Sequence, residues 1–363
     1  MKCLSFLVLS VSALLLLPSC APSEDRVTPA EATQLARHID SSLREKDADP
    51  LRDVIDEELL ARAAASAGGQ RYNASLRKGI EESLRKNGFS QQVSTLVEGG
   101  GTYRLVRTYE KEGRQHMIFR LFSAAGLNYH DFELTKRKER VRARDVYILL
   151  SGEKLSATMA GLLKSLDGQS DGSAQTQAAQ MKKIQDLYRR EKYQPALEEI
   201  RRLPASLRNN RTFRIMELTI SSHLDSATYA QSLQSFETSY GNDPSAQFAL
   251  FDHYFTRKDY PRVHRIINEI DKMMEDPWLN YYRGLTYREQ GDTVASLKAF
   301  ERLMQHSPDF EDGALELISM HVQADDVERG NKAIAEYKKH KEFNQTYLTY
   351  IRYKYEQALH FNW

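Results

Sequence analysis

The C-terminal half of this chain repeats itself, which leaves it few shapes to adopt. Between Pro277 and Pro308 stand Gly284, Tyr287, Gly291-Asp292, Ser296, Phe300 and Leu303. A second stretch begins at Pro244, 33 residues earlier, and places Leu250, Phe251, Tyr254, Asp259-Tyr260, Val263, Ile267 and Ile270 in the same register. Looser copies begin near residues 177 and 213, and another follows Pro308 with Leu317, Gly330, Ile334 and Tyr337. The apolar residues inside each stretch follow helical spacing, and Gly or Asp marks the middle. A pair of helices this short cannot bury its apolar side alone, so neighbouring pairs must stack. Residues 179–343 are therefore expected to form a run of paired helices, and 344–363 a tyrosine-rich terminal helix that caps it.

The pattern resembles the tetratricopeptide repeat. Gly284 and Ser296 stand where that family needs small residues so that the two helices of a unit can touch. Tyr287 and Phe300 stand where aromatics fill the seam, and Pro308 where the second helix stops. Asn280 and Arg283 depart from it, since bulky apolar residues are usual at those places. The resemblance implies an all-α, right-handed solenoid whose concave groove is lined by the first helix of each unit. Trp278, Tyr281, Arg288 and Glu289 in one unit, and Phe248, Asp252 and Phe255 in the one before, are its expected partner-binding residues. Aromatics beside Arg and Asp suit a protein or peptide ligand. The alternative for Phe248 and Trp278 is packing against neighbouring helices.

The other end constrains location. Lys2 precedes an apolar run from Leu4 to Leu17, too short to span a bilayer and suited to a signal peptide over residues 1–19. Leu17-Pro18-Ser19-Cys20 resembles the bacterial lipoprotein box. The resemblance implies that Cys20 is the lipidation site, with diacylglycerol on its thiol and a further acyl chain, such as palmitate, on its freed amine. Two or three chains suffice for stable anchoring. Polar residues 20–27 read as a tether, and Ala21 after the anchor favours the outer membrane by the same resemblance. Cys3 and Cys20 are the only cysteines, so no disulfide framework or cysteine metal site is available downstream.

Residues 28–166 read as an α+β domain. Thr28-Pro29-Ala30-Glu31 is a helix start, and Leu35, Ile39 and Leu43 form one stripe. A second helix from Asp49-Pro50 carries Leu51, Val54, Ile55, Leu59 and Leu60. A third covers 73–86, with Gly88 expected as its left-handed cap. The period then becomes two over 102–110, 114–122, 127–136 and 140–150. Short turns at Glu112-Gly113, Ala125-Gly126 and Lys138-Glu139 make these a four-stranded antiparallel meander. A helix over 153–166 closes the domain, and 167–178 is a Gly/Ser/Gln-rich linker. This order of elements resembles the cystatin-like and nuclear-transport-factor-like cone folds.

Charge narrows the function. Lys and Arg total 51 against 50 Asp and Glu, which argues against a nucleic-acid binder. The basic run from Lys136 to Arg144 crosses a hairpin turn and reads as solvated. His116, His130, Asp131 and Asp145 are the candidates for a catalytic pair. His130 and Asp131 are neighbours on a strand and point to opposite faces, and His116 reads as a rim residue. No catalytic motif, metal site or cofactor signature is present in the sequence. The expected function is that of a lipid-anchored envelope scaffold that docks protein or peptide partners. The alternatives are an enzyme with a cavity in the cone, or a glycan-binding surface lipoprotein.

Overall fold

The computed structural model describes residues 25–124, 126–167, 173–340 and 343–363. Cys20, the signal segment and most of the tether lie outside them. The chain is a mixed α+β protein, mostly helical, with an antiparallel sheet in its middle.

Five helices precede the sheet: α1 (Pro29–Arg44), α2 (Asp49–Asp53), α3 (Glu57–Gly68), α4 (Ala74–Asn87) and α5 (Phe89–Glu98). Thr28 and Glu31 form the expected capping box on α1. Three contacts hold the Glu31 carboxyl down at about 2, the Thr28 backbone N–H first, then Lys136 and the Thr28 hydroxyl. The single helix expected from Asp49 is broken in two. The Val54–Asp56 stretch leaves helical geometry to bond the edge of the sheet: Ala143 N–H donates to Val54 C=O at 2.7 Å, and Asp56 N–H to Ala143 C=O at 2.8 Å. Asp56 then caps α3. Gly88 is not a left-handed cap: its φ of −71° is ordinary. It starts α5, a helix the periodicity did not reveal, and a Cβ there would lie 2.0 Å from the Leu84 carbonyl oxygen. The left-handed cap is Gly69, at φ 68° after α3.

The sheet has five strands rather than four, in sequential order: β1 (Thr102–Lys111), β2 (Arg114–Ser123), β3 (Gly126–Arg137), β4 (Arg140–Ile148) and β5 (Glu153–Lys154). Gly152, at φ 69°, reverses the chain so that β5 pairs with the end of β4 before α6 (Leu155–Asp167) begins. The β1–β2 turn uses Glu112 and Gly113, and the β3–β4 turn Lys138 and Glu139, all at positive φ, as tight hairpins require. Much of the basic run at the second turn is paired: Arg137 with Asp56 and Glu58, Lys136 with Glu31, and Arg144 with Glu133. On one face of the sheet, Tyr103, Met117, Phe119, Phe132, Leu134 and Val146 meet Ile39, Leu60 and Val93 of the flanking helices in a common core.

Helices dominate the rest. Part of the expected linker, from Ser173, belongs to α7 (Ser173–Arg189), which pairs with α8 (Tyr193–Arg201). After the short α9 (Ala205–Arg208) come α10 (Arg211–Ser221) with α11 (Ser226–Tyr240). The next first helix is broken into α12 (Pro244–Phe248) and α13 (Phe251–Thr256) and is followed by α14 (Tyr260–Met274). A 3-10 turn (Pro277–Leu279) leads into α15 (Asn280–Glu289), which pairs with α16 (Thr293–His306). Then follow α17 (Glu311–Gln323), α18 (Val327–Tyr337) and α19 (Gln345–Lys354). The terminal helix is shorter than expected, since the chain continues after Lys354 as a 3-10 turn, Glu356–His360. Asp225, Asp259, Asp292 and Asp326 cap the second helix of four successive pairs, at intervals of 34, 33 and 34 residues. The residues before the last three, Lys258, Gly291 and Asp325, all have positive φ, so the turn geometry recurs with the sequence.

Candidate docking surface

The repeat-defining residues act at close range. A Cβ on Gly284 would fall 2.7 Å from the Phe300 ring, and the Ser296 hydroxyl donates to Gly284 C=O at 2.8 Å. Phe300 is fully buried, Tyr287 packs on His264, and Pro308 lies in the turn after α16.

The second face of the sheet is also covered. Ile118, Leu127, Tyr129 and Leu149 share one core with Phe248, Phe251, Trp278 and Phe300. Trp278 is 1% exposed, with its ring 4.8 Å from Phe122 and 5.0 Å from Phe310. Phe248 is 8% exposed. These two expected partner contacts are therefore interior: the protein's own sheet occupies the surface they were expected to offer. The sequence carried the signal in Met117-Ile118-Phe119-Arg120-Leu121-Phe122. Apolar residues there fall on both parities, as in a sheet buried on both sides.

Three polar clamps, none of them read from the sequence, join the sheet side to the helices. Asp276 caps the 3-10 turn and accepts from Arg120 Nη1 at 2.8 and 2.9 Å and from the Tyr129 hydroxyl at 2.8 Å. The Arg120 guanidinium lies over the Trp278 ring. Burial first, then Asp276, pushes the Tyr129 hydroxyl well above its usual range. Arg107 donates to the Met274 and Met273 carbonyls at 3.0 and 3.3 Å, capping the end of α14, and also pairs with Glu275. Arg107 lies over Tyr109, whose hydroxyl donates to Asp131 at 2.6 Å, and Asp131 also pairs with His116 Nδ1 at 3.0 Å. Arg44 of α1 reaches Asp309 at 3.0 Å.

Of the catalytic candidates only His116 and Asp131 meet, with the Tyr109 hydroxyl on the same carboxylate; His130 and Asp145 stand apart from them. His130 and Asp131 lie on opposite faces. His130 is 3% exposed, bonds Tyr103 at 3.0 Å and packs edge-on against Phe89. Burial pushes its imidazole down to about 3. Asp145 accepts from the Ser156 hydroxyl and N–H and from Val146 N–H, fixing the start of α6. Among the described residues no group of His, Cys, Asp or Glu is arranged to hold a metal, and no helix is long and apolar enough to cross a membrane.

The other expected partner contacts are at least partly exposed. Asp252, Arg288 and Glu289 are exposed, and Phe255 and Tyr281 partly so. Their neighbours form a continuous aromatic row: Phe255 stacks on Phe251, Phe251 meets Tyr282 at 4.6 Å, and Tyr282 meets Tyr281 at 5.7 Å. Carboxylates flank the row. Burial first, then Asp252, raises the Tyr282 hydroxyl; burial, then Asp312 and Glu316, raises Tyr281. Asp252 and Asp312 are exposed residues, yet partial desolvation still holds both carboxyls above their usual range. Arg288 is paired with Glu316. Carboxylates beside tyrosine rings suit a cationic side chain, which can pair with the acids and stack on the rings.

No family model, curated protein or solved structure matches this chain at a significant level.

Proposed function

We propose that this chain is a lipid-anchored cell-envelope docking protein, held to the outer membrane through Cys20, whose tetratricopeptide-like solenoid binds a basic segment of a partner protein. The recurrence of aspartate-capped helix pairs supports the repeat reading. The observation that carries the docking reading is the partly exposed row of Phe255, Tyr282 and Tyr281, joined through buried Phe251, with Asp252 and Asp312 beside it. Trp278, held under Arg120, packs on Tyr281 at 5.3 Å and Tyr282 at 5.6 Å, which lowers the ordering cost of binding there.

The test is fluorescence anisotropy on the full chain with a labelled lysine-rich octapeptide and its glutamate-rich counterpart. The lysine peptide is expected to bind and the glutamate peptide not to bind. Changing Asp252→Asn and Asp312→Asn together should weaken binding at least about tenfold, for two lost charge-assisted contacts. Equal binding of both peptides, or an unchanged affinity in the double variant, would refute the reading. Cys20→Ala should abolish palmitate labelling and release the protein from membranes; retention of both would refute the anchor.

A further inference from the structure

The far end of the chain exposes what the rest of it hides. Of the seven large apolar or tyrosine side chains left exposed among the described residues, Tyr347, Tyr350, Tyr353 and Leu359 fall within the last 17 positions. The three tyrosines belong to α19, with Tyr350 63% and Tyr353 84% exposed. The helix buries Leu348 and Ile351 in a core that it shares with α17 and α18. Steps of three and four residues bring the tyrosines and Lys354 together on another side of it. The last helix of a stack normally turns a polar face outward, so three exposed rings there are a departure. We propose that this face of α19 is a membrane-contact site, which lies on a bilayer surface rich in anionic phospholipid.

Charge gives the first argument. Residues 343–355 carry Arg352 and Lys354 and no Asp or Glu. Both cations are exposed, and neither pairs with a carboxylate among the described residues. The Lys354 ammonium lies only over rings, 5.9 Å from Tyr350 and 5.2 Å from Tyr355. Both charges are therefore free to meet lipid phosphates, and a bilayer with anionic lipid attracts Lys and Arg near its surface. Two copies of this face would set cation against cation. Ring chemistry gives the second argument. A tyrosine has an apolar body and a polar tip, which suits the headgroup level of a bilayer. The hydroxyls of Tyr347, Tyr350 and Tyr353 have no hydrogen-bond partner among the described residues. Shape gives the third. A peptide needs walls to grip, and one convex helix face has none, whereas a fluid lipid surface conforms to it. The ten residues of α19 are too few to cross a bilayer, so the contact is along its surface. The contact needs no acyl chain on Cys20, and its charge is opposite to that of Asp252 and Asp312. Each reading can therefore fail alone.

The experiment reconstitutes the full chain with vesicles of phosphatidylcholine alone, or of phosphatidylcholine mixed equally with phosphatidylglycerol. A benzophenone amino acid replaces Tyr353 in one form and the exposed Val294 in another. Any other hold on the vesicle, acyl chain or apolar segment, is common to every form compared. Irradiation should join position 353 to lipid, with at least about fivefold more adduct in the anionic vesicles, the scale of one cation near a charged surface. Position 294 should give little adduct in either. Arg352→Gln with Lys354→Gln should remove the preference for anionic vesicles. Tyr347→Ser with Tyr350→Ser should lower the adduct in both. These four side chains are exposed, so Tm should be unchanged. No lipid adduct at 353, equal adduct in the two vesicles, or a preference that survives loss of both cations would overturn the proposal. So would a protein–protein adduct in place of lipid, or displacement of the lipid by the glutamate-rich octapeptide.

Discussion

At the scale of single residues, the same residue type can be structural or available, and the surroundings decide which. Trp278 and Phe255 both looked like ligand contacts, but Trp278 is enclosed by Phe122, Tyr281 and Phe310. Trp278→Ala should therefore cost about 3–5 kcal/mol of stability in urea unfolding, while Phe255→Ala should cost much less and act on binding. Asp276→Ala should be as severe, about 3–5 kcal/mol, because it strands the buried Arg120 charge. Gly284→Ala pushes a methyl into the fully buried Phe300 ring and should cost about 1–3 kcal/mol. His130 sets an acid limit. Its folded pKa of about 3 lies below the unfolded value, so the unfolded chain takes up the proton first. Stability should fall by about 1.4 kcal/mol per pH unit from the usual histidine range down toward pH 3. His130→Gln should flatten that slope in denaturation midpoints measured across the range; an unchanged slope would count against a neutral buried imidazole. Gly284, Ser296 and Phe300 were legible from the sequence because their contact is local to one helix pair. The burial of Trp278 was not, because its partner Phe122 lies 156 residues away.

At the scale of elements, periodicity located most helices and strands but not what interrupts them. The break between α2 and α3 exists because Val54–Asp56 bonds Ala143 in β4, a long-range pairing with no local mark. β5 is two residues long and depends on Gly152, above which the Arg211 guanidinium lies. Gly152→Ala adds strain at positive φ and collides with Arg211, which also bonds Asp243 and Ser245. It should cost about 2 kcal/mol or more and accelerate amide exchange in β5 and at the start of α12. Normal exchange there would show that the turn does not hold the two halves together. The α5 helix was missed because Gly88 reads as a stop; here the missing Cβ instead lets two helices meet at a sharp corner.

At the scale of the whole molecule, the sheet is buried on both faces, once by its own flanking helices and once by the helical half. The two halves therefore share a core, and Trp278 fluorescence in a Trp363→Phe form and far-UV circular dichroism should report a single coincident unfolding transition rather than two. The sequence made the halves visible through their change of period, but not their union. That union follows from the apolar residues on both parities of β2, and it buries Trp278 and Phe248, two of the expected partner contacts. The most direct measurement is photocrosslinking in membranes, with a benzophenone amino acid replacing Phe255 in one protein and the exposed Val294 in another. A discrete partner adduct at position 255, absent at 294 and suppressed by the lysine-rich octapeptide, is the predicted result. No adduct at 255, or an equal one at 294, would contradict docking through the aromatic row.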